Sequence, residues 1–145
     1  MSSPVIFGAI MIMIKPIRAE ETWPIRHRVM WPNESLVYVK LKEDQDGHHF
    51  GLHVADELVA VVSLFPKGDS AQFRKLATLK NHQKKGYGSA LIRHILAYSS
   101  HNEISSIWCN ARAEKQAFYR QFGFQTTSQT FIKNGQSYVT MEKTI

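Results

Sequence analysis

One stretch limits the chain more than any other. Residues 71–90 read Ala-Gln-Phe-Arg-Lys-Leu-Ala-Thr-Leu-Lys-Asn-His-Gln-Lys-Lys-Gly-Tyr-Gly-Ser-Ala. The run Phe73–Leu79 reads as a strand and enters a polar turn that ends in Gln83-x-x-Gly86-x-Gly88. Leu91, Ile92, Ile95 and Leu96 then recur at helical spacing. A strand, a glycine-rich turn and a helix in that order present free backbone N–H groups at a helix N-terminus, here with Lys84 and Lys85 alongside. Such a turn suits a phosphate or pyrophosphate. At Gly86 and Gly88 a side chain would crowd the anion or forbid the backbone angles of the turn. The plainer alternative is that the two glycines only open a helix.

Length and charge bound the rest. The chain has 145 residues, enough for one domain over 1–145, with 1–9 as a loose leader. Eighteen basic and twelve acidic side chains give a formal charge of +6, without a basic run that would mark a nucleic-acid partner. The single cysteine, Cys109, excludes an internal disulfide, and no histidine pair has metal-ligand spacing, so no metal is expected. Val5 to Ile14 is apolar but far shorter than the roughly 20 residues of a membrane-spanning helix. The expectation is a cytoplasmic protein with no membrane partner.

In order, Ile10–Ile17 reads as the first strand and Ala19–Met30 as the first helix, with Glu20 and Glu21 in its first turn and Arg26 and Arg28 in its later turns. Residues 33–47 fit a short helix or a binding loop. His49–Ala55 and Leu58–Phe65 flank Asp56-Glu57 as a tight hairpin. Ala71–Leu79 is the fourth strand, Lys85–Ser99 a helix, Ile104–Cys109 the fifth strand and Glu114–Phe122 a short helix ended by Gly123. Phe124–Lys133 and Gln136–Lys143 close on Asn134-Gly135, the strongest hairpin signal in the chain. The pattern is α/β (α+β), with a mixed sheet.

The chain resembles the GCN5-related N-acetyltransferase (GNAT) superfamily. The residues that carry the likeness are Leu76-Ala-Thr-x4-Gln83-x-x-Gly86-x-Gly88, then Asn110-Ala-Arg112, then Ala117-Phe-Tyr119-x-x-Phe122-Gly-Phe124. The resemblance implies a twisted mixed sheet, flanked by helices, that splays between strands 4 and 5 to admit acetyl-CoA. It implies cofactor contacts along Leu76, Ala77 and Thr78, and pyrophosphate held by backbone N–H groups of Gln83, Lys84, Lys85, Gly86, Tyr87, Gly88 and Ser89. Asn110 would contact the pantetheine, and Tyr119 would reach the coenzyme sulfur as general acid. Many relatives carry Arg where Gln83 stands. Lys84 or Lys85 replaces that charge, or is merely solvated.

Arg28, Trp31 and Asn33 fall where the family builds the acceptor side. Trp31 is either an apolar wall there or a plug in the core; Arg112 is a contact or a surface residue. No carboxylate stands between Gln72 and Leu79 to act as base, and His49, His53 and Glu34 are candidates by position only. The resemblance thus implies acetyl transfer to a primary amine of a small molecule, peptide or protein, in a chain that pairs as a homodimer. The competing expectation is a non-catalytic acyl-CoA-binding sensor or interaction module of the same fold.

Overall fold

The alternating and β-branched runs become strands of one sheet. The structure is a computed structural model that describes residues 3–7 and 10–145, with side chains from Met11 onward. In chain order, β1 (Ser3–Phe7) and β2 (Ile10–Ile17) precede α1 (Ala19–Met30). Two single 3-10 turns follow, Leu36–Val39 and Asp44–Asp46. Then come β3 (His48–Val54), β4 (Glu57–Lys67), β5 (Ser70–Thr78), α2 (Tyr87–His101), β6 (Ser106–Arg112), α3 (Gln116–Arg120), β7 (Gln125–Lys133) and β8 (Gln136–Thr144). The sheet order is β1-β2-β3-β4-β5-β6-β8-β7. Every pairing is antiparallel except β5 with β6.

The hairpins show why local sequence suffices for much of this. Asn134 and Gly135 both take left-handed φ, +52° and +76°, as a two-residue turn between twisted strands requires. Between β3 and β4 the same role falls to Ala55 (φ +48°) and Asp56 (φ +71°), one residue earlier than expected. The parallel step from β5 to β6 needs a crossover, which α2 supplies. Its Leu91, Ile92 and Ile95 are fully buried, each contributing about 1.5–3 kcal/mol.

Residues 49 and 50 assign the helices to faces. Phe50 packs edge-on against His94 and Tyr98 of α2, whereas His49 and its cross-strand partner Ser63 meet the Asp44 carbonyl and Arg26 of α1. Successive strand residues face opposite ways, so α1 and α2 cover opposite faces of the sheet.

Three expectations change. Residues 3–7, expected within a loose leader, run as a strand paired antiparallel with β2 from Ser3↔Ile14 to Phe7↔Ile10; Val5, Ile6 and Phe7 are strand formers that find a partner edge. The expected fourth and fifth strands are therefore β5 and β6. The helix expected over 114–122 is a 3-10 turn at Ala113–Lys115 and then α3, closed at Gly123 (φ +92°) with the Phe124 N–H bonded back to the Tyr119 carbonyl at 3.3 Å. Arg26, expected as a late-turn cation of the first helix, is wholly buried. Among the described residues no helix is long and apolar enough to cross a membrane.

Candidate active site

β5 and β6 part company early. They pair only from Ser70↔Ser106 to Gln72↔Trp108, yet β5 continues to Thr78 and β6 to Arg112. Beyond Gln72 and Trp108 the sheet is a fork with unpaired backbone on its inner edges. α3 brings Tyr119 to the crotch of that fork. Its ring lies 5.6 Å from Phe73, the first residue past the last pair, and 6.1 Å from Phe124. Burial pushes its phenol well above the usual tyrosine range, and the nearby Cys109 adds to the rise. The phenol therefore stays protonated throughout ordinary pH. Cys109 is itself buried, and its thiol is pushed up to about 12 by burial, so it is an inert packing residue.

β5 carries a bulge inside the fork. Ser63 pairs with Arg74 and Val61 with Ala77, so Val62 alone faces both Lys75 and Leu76. Lys75 takes φ +59° to make this possible, a left-handed conformation that costs a non-glycine residue about 1–2 kcal/mol. Leu76 turns its side chain toward the start of α2, near Gly88. Ala77 is buried and Thr78 half-buried.

At the far end of β5 the turn presents free backbone amides. Lys84 (φ +63°) and Gly86 (φ +82°) are both left-handed, and no side chain caps α2. The N–H groups of Gly86, Tyr87, Gly88 and Ser89 have no protein acceptor among the described residues; the first helical bond runs from Ala90 to Gly86. Lys84 and Lys85 are exposed beside them, and Tyr87 offers only its backbone because its ring is buried. Gln83 differs from expectation: its N–H is taken by the Lys80 carbonyl at 3.3 Å, and its side-chain amide braces the loop by donating to the Thr78 carbonyl at 2.9 Å. On the other inner edge, Asn110 is exposed, with its Oδ1 accepting from Thr140 Oγ1 at 2.7 Å, which leaves its amide N–H groups free to donate outward.

The opposite side of the sheet is held by a buried polar network. Arg26 donates to both oxygens of Asp44 (2.8 and 2.9 Å), to the Val39 carbonyl and to Ser63 Oγ. Asp44 also accepts from Trp23 Nε1 and the Leu41 N–H. Burial pulls the Asp44 carboxyl upward, but the hydrogen bonds from Arg26, Leu41 and Trp23 outweigh it and hold it below the usual range. The network pins residues 39–44 to α1. Nearby, Glu43 pairs with Arg74 of β5.

The acceptor-side expectations fare unevenly. Trp31 is half-buried and meets Tyr38 edge-on at 5.2 Å, so it walls the loop and does not plug the core. Arg28 and Asn33 are exposed, and no hydrogen bond, ion pair or ring contact among the described residues joins them to Tyr119 or to the turn. His49 is engaged at both ring nitrogens, by Ser63 Oγ and the Asp44 carbonyl, and is unsuited to serve as base. His53 lies on β3 between β2 and β4, away from the fork. Glu34 and Arg112 are exposed. A concavity of about 300 Å³ between the start of α1 and residues 44–49 shares no residue with the fork.

Against known families, residues 29–145 match the acetyltransferase (GNAT) domain. The chain belongs to the GNAT acetyltransferase family. An uncharacterised N-acetyltransferase of Bacillus subtilis, YitI, is 28% identical, with 93% of this chain and 97% of that protein covered. Among solved structures, the ribosomal-protein-S18-alanine N-acetyltransferase of Escherichia coli is similar, with a TM-score of 0.78 at 17% identity over 93% of this chain and 94% of that one. So is a GNAT family acetyltransferase from Elizabethkingia anophelis with acetyl-CoA bound, with a TM-score of 0.74 at 14% identity over 92% and 98%. At those identities the likeness speaks to the GNAT fold.

Two features of this GNAT domain escape the sequence. The left-handed bulge at Lys75 has no glycine to announce it; its one trace is the Arg74-Lys75 doublet between the apolar Phe73 and Leu76. The Arg26–Asp44 pair joins a helix to a loop without periodicity, and nothing local to either marks it.

Proposed function

We propose that the protein is an acetyl-CoA-dependent N-acetyltransferase that acylates a primary amine by direct transfer, with Tyr119 as general acid. The observation that carries this reading is the span of β5. Acceptor-free amides stand at one end of it, at Gly86–Ser89, and Tyr119 stands at the other, against Phe73. From Phe73 to Thr78 an unpaired strand edge runs about 17 Å. That edge fits an extended acyl-carrying arm whose anionic end sits on the turn.

Each part of the chain has a stated task. The amides of the turn, with Lys84 and Lys85 near them, bind the diphosphate. The edge around Leu76, Ala77 and Thr78 and the amide of Asn110 grip the arm from the two sides of the fork. A backbone N–H of the opened edge within reach of Tyr119, between Phe73 and Leu76, stabilises the oxygen on which charge develops, an interaction worth roughly 3 kcal/mol of barrier. The amine nitrogen bonds to the acyl carbon and the carbon–sulfur bond breaks. Tyr119 gives its proton to the departing sulfur and recovers one from solvent. The acceptor loses its own proton to solvent, in keeping with the engaged nitrogens of His49. Arg28, Trp31 and Asn33 line the entry on the α1 side.

The test combines calorimetry of acetyl-CoA binding with thiol release in the presence of an amine panel. Binding and turnover are expected in the wild type. Tyr119→Phe keeps the packing, and should keep coenzyme binding while slowing transfer about 100-fold or more. An unchanged rate removes the acid role, and absence of coenzyme binding removes the reading.

A further inference from the structure

Lys75 is a charged group with no task in the chemistry above. It sits three residues beyond Gln72, the last residue of β5 paired to β6, so it belongs to the open part of the fork. It is half-buried, and its backbone is held in the left-handed region. Strain of that kind costs about 1–3 kcal/mol and persists where the surroundings impose it, commonly at sites of function.

The charges around it make its position more costly. Arg74, Arg26 and Lys133 all act on the Lys75 ammonium, and Asp44 is the carboxylate that acts in its favour. Asp44, however, is committed to Arg26, and Glu43, next to it in sequence, is committed to Arg74. Lys75 itself has no ion-pair partner among the described residues. Burial first, and then these cations, bring its pKa down to about 8, so at neutral pH it is still mostly charged. Neighbouring arginines are thus neutralised while the charge of a half-buried lysine is left unmatched by any carboxylate among the described residues. The coenzyme's phosphates do not match it, since their amides lie past the other end of the strand. On the other side, Phe73 stands two residues away along β5, about 7 Å, and carries Tyr119 on its ring.

We propose that Lys75 receives a carboxylate borne by the amine acceptor, so that the substrates of this protein are amino-acid-like amines and not simple alkylamines. The inference rests on the acetyltransferase reading and narrows it to a substrate class. Lys75 then holds the acceptor near the crotch of the fork. Exposed Lys133, at the tip of β7, extends the same positive field toward solvent.

The experiment compares amino acids with their carboxamides as acceptors, at saturating acetyl-CoA and pH 7, in wild type, Lys75→Met and Lys75→Arg. Calorimetry of acetyl-CoA binding accompanies each protein. Wild type should favour the carboxylates by roughly 10- to 100-fold in kcat/KM, the range of a charge-assisted hydrogen bond. In Lys75→Met the ratio should fall to about 1 through KM of the carboxylates, with the carboxamides and coenzyme binding unaffected. Lys75→Arg should retain part of the preference. Wild-type protein that binds acetyl-CoA yet acetylates both sets equally, only the carboxamides, or neither, overturns the inference and leaves the coenzyme reading standing. So does a preference that survives in Lys75→Met. If that variant does not fold, Lys75→Gly, which suits the left-handed backbone, replaces it, and the wild-type ratio decides by itself. Wild-type protein that binds no acetyl-CoA overturns both.

Discussion

At the start of α2 the amides of Gly86 to Ser89 point outward without protein acceptors; beneath the 31–47 loop, Arg26 is wholly buried and spends its guanidinium on Asp44, Val39 and Ser63. The first region is made of backbone and left open. The second is made of side chains and closed on itself. An open array of amides can receive any ligand with a diphosphate, because it reads charge and spacing only. A closed network fixes the shape of one loop, and on the proposed reading that loop governs which acceptors reach the fork. Stability and ligand affinity should therefore separate between the two regions, and substitutions can test whether they do.

The largest effect belongs to the closed side. Asp44→Ala leaves the buried Arg26 charge without its partner, which should cost about 3–5 kcal/mol of folding stability. Chemical denaturation measures this directly. Replacing both partners by apolar residues, Arg26→Met with Asp44→Leu, should recover much of the loss, since neither charge then remains buried. Acetyl-CoA affinity of the folded fraction should hardly move. A large fall in that affinity would break the separation between the two sides.

On the open side affinity moves together with stability. Gly86 has φ +82°, and a Cβ added there meets nothing within 4 Å, so the protein itself does not forbid a side chain by contact. Gly86→Val should lose about 1–2 kcal/mol of stability through the left-handed backbone. Its coenzyme affinity, read by calorimetry, should fall at least ~10-fold, or about 1.4 kcal/mol. Lys75→Gly reaches into the space between the two regions. It removes both the backbone strain and the unpartnered charge, so it should raise stability by up to about 1 kcal/mol, the strain relieved less the entropy of a glycine. Stability gained together with loss of carboxylate preference would mark Lys75 as a residue kept for binding.

The same contrast explains what the sequence discloses. The open side is legible because glycines at fixed offsets, ahead of a helical period, dictate backbone geometry with little help from elsewhere. Asn134-Gly135 is legible for the same reason. Tyr119 is legible through the family likeness of Ala117 to Phe124, although only the structure shows it against Phe73. The closed side depends on contacts between residues far apart in the chain. Arg26 looks like a late-turn cation that complements a helix dipole, and only its meeting with Asp44 and Ser63 makes it a core residue. Residues 33–47 have no period because a pair of single 3-10 turns holds them, pinned by that same arginine. Lys75 is hidden because lysine does not advertise a left-handed turn.

The smallest predicted effect is a pH dependence centred on the closed side. Burial sets the His49 imidazole below its usual range; the Asp44 carbonyl and charge oppose this, while Arg26 and His48 reinforce it. With Nε2–H donating to the Asp44 carbonyl and Nδ1 accepting from the Ser63 hydroxyl, both at 2.7 Å, the neutral ring satisfies every partner. A second ring proton would confront the Ser63 hydroxyl, whose oxygen already accepts from Arg26 at 2.9 Å. The unfolded chain takes up that proton near pH 6.5, so it binds more protons than the folded chain below that value. Stability then falls as pH drops through about 6.5 toward 5. His53 and His94, also lowered chiefly by burial, contribute with the same sign. The Asp44 carboxyl enters later: its stabilisation is present above about pH 4, the ordinary carboxylate range, and is lost as pH falls toward its lower folded value. Thermal melts from pH 7.5 to 5 should show a decline in wild type and a shallower one in His49→Gln. An equal slope in the two proteins would mean that the loop's anchor does not sense this window, and that the closed side is as indifferent to protons as the amides across the sheet.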